Sequence, residues 1–207
     1  MRTWLLGGPV GQIDHDAYFA AEMAEHAAVA AATRAALGQP FAALVRVSVE
    51  AVRQGGKLIF FGNGGSAADA QHLATELTVR YVTDRAPIPA LALTTDSSAL
   101  TAIGNDLGFD QLFARQLRAL GRAGDVAVGI STSGRSRNVI LALRAAREMG
   151  LVPAALSGGD GGDLKGLADP LLIVPSTTTA RIQEMHITLG QMLCGAVERA
   201  LGLVETR

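Results

Sequence analysis

Five short runs of uninterrupted apolar residues, each followed by a turn and then a stretch with helical spacing, constrain this chain more than any other feature. The runs cover about 57–61, 89–93, 125–130, 151–156 and 171–174. A strand that is apolar at nearly every position has no face to offer water, so both faces must be covered. Strands separated by helices pair in parallel, because parallel neighbours need a crossover between them. The helical stretches fall at about 67–81, just after 95–98, at 109–120, from 134 through Met149, and at 178–201. Two more, 15–37 and 41–54, precede the first strand, divided by Gly38 and Pro40 and closed by Gly55-Gly56. Having no strand of their own to cover, they are expected to pack on the later sheet or on another subunit. The expectation is an α/β fold: a parallel five-stranded, flavodoxin-like sheet flanked by helices, with residues 1–56 as an N-terminal helical extension and 57–207 as the main domain. Residues 1–14 read as a loose lead-in.

Composition narrows the function classes. At 207 residues, with 49% hydrophobic side chains, the chain suits one domain with a sizeable core. A net charge of −1 gives no bulk attraction for nucleic acid, although a local phosphate site remains open. Aromatics at 4% leave little for stacking single-stranded bases. The single cysteine, Cys194, excludes an internal disulfide and a cysteine-based zinc cluster, and fits a reducing cytoplasm. Trp4-Leu5-Leu6 runs straight into Gly7-Gly8-Pro9, too short for a signal peptide, and no stretch reaches the roughly 20 apolar residues of a membrane span.

Three constellations follow strands, where parallel α/β sheets bind ligands. The first is Gly62-Asn63-Gly64-Gly65-Ser66, with Ser66 read as the N-cap of the next helix. Such a turn exposes backbone N–H groups to an anion or a sugar hydroxyl; it could equally be a tight turn whose glycines only supply positive φ. It also meets the loose dinucleotide pattern Gly62-x-Gly64-x-x-Ala67. The acidic residue that pattern wants about 20 positions on is missing, since the next strand ends near Asp96. The second is Ser131-Thr132-Ser133-Gly134-Arg135-Ser136. A cap needs one hydroxyl, not four; four beside free helix N–H groups suit a phosphate. The third is His72 and Glu76, at i,i+4 and expected near the start of their helix. The pair could ligate a metal, set a base beside its partner, or simply be a solvated face. Asn105-Asp106 and the run Arg181-Ile182-Gln183-Glu184-Met185-His186 read as surface or capping clusters at loop or helix-start positions.

Taken together, these segments resemble the sugar isomerase (SIS) domain family, and within it the phosphoheptose isomerases. The likeness runs from about Gly55 to Glu198. It rests on Gly62 to His72, Glu76-Leu77, Gly104-Asn105-Asp106, Ser131-Thr132-Ser133-Gly134-x-Ser136 and Arg181-Ile182-Gln183-Glu184-x-His186. The resemblance implies conversion of sedoheptulose 7-phosphate to a D-glycero-D-manno-heptose 7-phosphate through an enediol, in a cytoplasmic homotetramer with sites at subunit boundaries. It implies that Asn63, Gly64, Gly65, Ser66, Asn105, Asp106 and Gln183 meet the sugar, that Ser131, Thr132, Ser133 and Ser136 hold the phosphate, and that Glu76 is the base. It further implies zinc, held by His72, Glu76, Gln183 and a histidine eight positions after Gln183.

That last position is Gln191. In the family the histidine there is both a ligand and the partner acid–base group. A carboxamide exchanges no proton near neutral pH and is a poor zinc ligand beside imidazole. His186 does not replace it: five residues away on a helix, it points about 140° from Gln191. Gln191 therefore stands in the catalytic set as a carbonyl-polarising amide, and zinc becomes conditional. Two other readings stay open. One is a sugar-phosphate-binding or DnaA-binding SIS protein without catalysis, since a replication-initiator-binding tetramer of this superfamily is similar over several segments. The other is a heptose isomerase with an altered substrate in a natural-product pathway.

Overall fold

The computed structural model describes residues 13–205; the expected lead-in and the Trp4–Pro9 segment lie outside the described residues apart from Ile13 and Asp14. The strands are β1 (Leu58–Gly62), β2 (Ala90–Ala92), β3 (Val126–Ser131), β4 (Val152–Gly158) and β5 (Leu171–Val174). They form one sheet in the order β2-β1-β3-β4-β5, and every pair is parallel. The expected α/β class, strand number and flavodoxin-like order are those found.

The helices are α1 (His15–Ala36), α2 (Gly38–Arg53), α3 (Gly65–Thr78), α4 (Ser97–Asp106), α5 (Leu112–Leu120), α6 (Arg137–Glu148) and α7 (Thr179–Ala200). Successive side chains of a strand point to opposite faces. Leu58 and Phe60 accordingly pack in one core with residues of α2, α3 and α7, while Ile59 and Phe61 pack in the other with residues of α5 and α6. All five residues of β1 are buried, which explains its unbroken apolar run. The N-terminal helices, with Leu37 between them, join the first core through Val29, Leu44 and Val49: α2 packs on β1, β3 and β5, while α1 lies on α2 and α7.

Several boundaries differ for physical reasons. Gly38 and Pro40 do not lie between the first two helices: α1 ends at Ala36, and α2 starts at Gly38. Pro40 sits in the first turn of α2, where a missing N–H costs nothing. Ser66 is not an N-cap. Gly64, at φ +56°, takes that position, and Ser66 is buried in the first turn with its N–H donating to Asn63 O. α3 ends at Thr78 rather than at 81. Asn105 and Asp106 close α4 rather than open a helix.

The strand order reverses between β1 and β3, which run side by side with Gly62 opposite Ile130. Ligands of doubly wound sheets bind beyond the carboxyl ends at such a point. Here the glycine-rich turn after β1 and the hydroxyl-rich loop after β3 emerge together. Gly62 admits no side chain, because a Cβ there would lie 2.7 Å from Ile130 O and from Ser66 Cβ.

Candidate active site

At the carboxyl end of β3, Ser131 is buried and its hydroxyl lies 2.9 Å from that of Ser136. Ser136 is the N-cap of α6, yet it makes no side-chain bond to the first turn. Its hydroxyl is engaged by Ser131, and although Val139 N donates to Asn138 Oδ1 at 2.9 Å, the Arg137 and Asn138 N–H groups keep no cap, the arrangement an anion needs. Gly134 N donates to Ser131 O at 3.1 Å and shapes the loop, and Arg135 N donates to Ser133 Oγ at 3.2 Å. The Arg135 guanidinium donates to both oxygens of Asp160, at 2.9 and 2.6 Å. This bond holds the Asp160 carboxyl down at about 2. A small cavity of about 160 Å³ opens beside Thr132, Ser133, Arg135 and Thr179.

The glycine-rich turn meets this loop through a reciprocal amide pair. Asn63 Nδ2 donates to Asn138 Oδ1 and Asn138 Nδ2 donates to Asn63 Oδ1, both at 2.9 Å. Asn138 was not among the expected site residues. The signal was available: an asparagine in the first turn of a helix, unfavourable there unless its amide has partners, which burial makes obligatory.

The third group lies between α3 and α7. His72 Nε2 is 3.3 Å from Glu76 Oε1, and Gln191 Nε2 is 2.7 Å from His72 Nε2. The Gln191 carboxamide donates to the imidazole through Nε2; in its other amide orientation the oxygen accepts from a protonated Nε2. The Glu76 side chain is 19% exposed and that of His72 44%. The pair is not near the start of α3: it occupies the eighth and twelfth of 14 positions, so it lines the helix side that faces α7. On the same stripe, Gly65 lies against Gln183, whose Nε2 would be 2.7 Å from a Cβ at position 65. Asp69, a turn before His72, keeps Oδ2 buried without a partner, and burial raises its pKa against the opposing pull of His72. Asn105 donates to Asp106 at 2.7 Å, and both are exposed.

The run beginning at Arg181 is not a surface cluster. Arg181 is buried and ties α7 to α1, donating to Glu22 O at 2.8 Å and to Glu184 Oε1 at 2.6 Å. Glu184 also pairs with His26 at 2.8 Å, and this bond chiefly, with Arg181 adding to it, keeps its carboxyl below the ordinary value. His186 is fully buried, with Nε2 bonded to Ser157 O, and desolvation pushes its pKa down to about 4. It is a core residue that cannot stand in for a histidine at 191.

Zinc wants several imidazole, thiolate or carboxylate donors. Among the described residues no three His, Cys, Asp or Glu side chains converge on a metal position. His72 and Glu76 are two such donors and the Asp69 carboxylate lies a turn away, but the α7 side chains that meet this face are carboxamides, and Gln191 occupies His72 Nε2. This donor set does not fit zinc.

A parallel 2-1-3-4-5 sheet with a hydroxyl-rich loop and a glycine-rich turn at its switch point defines a doubly wound α/β protein of the ligand-binding class. The SIS domain model matches residues 20–158. The chain is 60% identical to the phosphoheptose isomerase of Paramagnetospirillum magneticum over 177 residues, covering 86% of this chain and 92% of that one. It is 56% identical to that of Rhodospirillum rubrum over 155 residues, covering 75% and 82%. Among solved structures, the phosphoheptose isomerase of Neisseria gonorrhoeae superposes with a TM-score of 0.84 at 46% identity, covering 89% of this chain and 98% of that one. That of Francisella tularensis gives 0.87 at 34% identity, covering 90% and all of that chain. The chain belongs to the phosphoheptose isomerase family and is a sugar-phosphate isomerase. No single described helix is long and apolar enough to cross a membrane.

Proposed function

We propose that the protein interconverts sedoheptulose 7-phosphate and a D-glycero-D-manno-heptose 7-phosphate through a 1,2-enediol, with Glu76 as the base. The observation that carries this reading is the Glu76 carboxylate, largely withdrawn from solvent and set 3.3 Å from His72, on the helix that leaves the glycine-rich turn. The 7-phosphate would sit in the Ser131–Ser136 cradle. Asn63, Gly64, Gly65, Gln183, Asn105 and Asp106 would meet the sugar, and Ser66 would support the turn from beneath.

The steps are written with this chain's own groups. Glu76 takes a proton from C1 beside the C2 carbonyl, and electron density moves to O2. The Gln191 amide stabilises that oxygen by donating a hydrogen bond. His72, whose Nε2 lies between Glu76 and Gln191, exchanges protons with O1 and O2, a task a carboxamide cannot perform. Glu76 then returns its proton to C2, leaving the aldehyde at C1. The proton count closes without an outside reagent.

Exposed Tyr18, Phe19 and Met23 on α1, together with a mainly apolar groove of about 460 Å³ between α1, α2 and α7, support assembly into a homotetramer. The cytoplasm is the compartment such a substrate and a lone buried thiol would suit.

The test is incubation with sedoheptulose 7-phosphate, with and without zinc, followed by NMR for an aldose phosphate. Glu76→Gln keeps the shape and removes the base, so turnover should fall about 10²- to 10⁴-fold with sugar-phosphate binding retained. Near wild-type turnover in that variant removes Glu76 from the role. Gln191 favours one further reading, an altered product. A different aldose in the same spectra would establish it.

A further inference from the structure

A buried ion pair stands directly behind the proposed base. The Arg85 side chain is 1% exposed and that of Glu198 3%, with Arg85 Nε donating to Glu198 Oε2 at 3.3 Å. The same guanidinium reaches the end of α3. Nη2 donates to Glu76 O at 2.8 Å, and Nη1 donates to Leu77 O at 2.7 Å and to Ala86 O at 3.1 Å. The last carbonyls of a helix have no partners of their own, and a cation there satisfies them and opposes the negative end of the helix. One planar fork thus closes the turn that carries Glu76.

Stability alone does not account for the pair. Burying two charges carries a desolvation cost that their attraction returns only in part, and apolar residues of similar volume often do as well. What a rigid, five-donor fork supplies is geometry. Glu198 lies on α7 seven residues after Gln191, about two turns, and so broadly on the same side of that helix. Cys194, between Gln191 and Glu198 in α7, is buried against α3 with Sγ 3.8 Å from Leu73 O; burial first, then the Glu76 and Glu198 charges, push its thiol up. Arg85 therefore joins the helix that carries His72 and Glu76 to the one that carries Gln191.

We infer that Arg85, held by Glu198, is a positioning residue for Glu76: it fixes the last turn of α3 and so sets where the carboxylate stands. This rests on the reading of Glu76 as the base. A lysine would keep the charge but cannot span a carboxylate and three carbonyls with one ammonium group. A base displaced by about 1 Å loses on the order of 10²-fold in rate.

The experiment measures kcat, KM and Tm for Arg85→Lys, Glu198→Gln and Glu76→Gln, and for Arg85→Lys in the Glu76→Gln background. Arg85→Lys should lower kcat about 10- to 100-fold with KM within about twofold, because the phosphate cradle is on other elements. Glu198→Gln, which keeps the acceptor and the volume, should show the same split to a smaller degree; it serves alone if the lysine variant fails to fold. In the Glu76→Gln background Arg85→Lys should cost nothing further, as expected of a residue acting through the base. An unchanged kcat with only a lower Tm makes Arg85 a helix cap and overturns the inference, as does an equal loss in both backgrounds. Wild-type turnover in Glu76→Gln alone would overturn the base reading, and this inference with it.

Discussion

Gly134 is the point at which the phosphate loop is most exposed to a single methyl group. It sits at φ +66°, and a Cβ there would lie 2.2 Å from Gly161 O, 2.5 Å from Gly161 C and 3.0 Å from Gly162 N. All three are backbone atoms, so no side-chain rotation relieves the contact. The loops are also bonded, Asp163 N donating to Gly134 O at 3.0 Å. Gly134→Ala must therefore part them. The left-handed backbone costs a residue with a Cβ about 1–2 kcal/mol, and overpacking adds about 1–3 kcal/mol. The sum, about 2–5 kcal/mol, corresponds to a Tm lower by about 4–20 °C for a chain of this size. Because the displaced loop holds Ser131 to Ser136, sugar-phosphate affinity should fall at least about tenfold, the worth of one hydrogen bond to a charged group. Gly159→Ala is the control. It has φ +60° but open space around its Cβ, so it should cost only the backbone part of about 1–2 kcal/mol. Thermal denaturation and calorimetric titration read both quantities. A Gly134→Ala protein matching its Gly159→Ala counterpart in Tm and affinity would refute the idea that the two loops brace each other.

His186 gives a pH dependence. Its pKa is pushed from 6.5 down to about 4 by burial, so above pH 6.5 it is neutral in both states, and between 6.5 and 4 only the unfolded chain takes up its proton. Stability should fall across that window by at most about 3 kcal/mol, and His186→Gln should flatten this part of the curve; an unchanged slope would locate the acid sensitivity elsewhere. Gln191→His should raise zinc affinity at least about tenfold by adding an imidazole beside His72 and Glu76, read by metal analysis after dialysis. Equal zinc content in the two proteins would count against position 191 as a metal determinant.

What the sequence discloses depends on how local the cause is. Continuous apolar runs such as Leu58-Ile-Phe-Phe report burial on two faces, so the parallel sheet can be read directly. Four hydroxyls after β3 read as a candidate anion site because a cap needs one. Ser66 misled because a good cap residue sat two places after the real cap, Gly64, whose positive φ only glycine readily adopts. The i,i+4 spacing of His72 and Glu76 gave their shared face but not which neighbour that face meets. That depends on α7, more than 100 residues later, and is expressed in one contact, His72 to Gln191. Arg85 was silent for the same reason. Nothing near it in sequence tells an arginine in a loop from one that closes a helix beneath a carboxylate.

The two ends of the site are therefore built differently, and this bears on how far family membership carries. The proposed phosphate site is concentrated in one loop, Ser131 to Ser136, and the helix start that follows it. The chemical end is assembled from α3 and α7, and three of its contacts, Gly65 to Gln183, His72 to Gln191 and Leu73 to Gly190, are tertiary. The described side-chain bond between the glycine-rich turn and the phosphate loop is the Asn63–Asn138 pair. A substitution on α7 can thus change the groups beside His72 and Glu76 while the Ser131–Ser136 loop stays intact. Gln191 is the position at which the resemblance expects a histidine. In the proposed reading the cradle keeps the chain a binder of sugar phosphates. The reaction at the other end then depends on how His72 and Glu76 share protons next to a carboxamide.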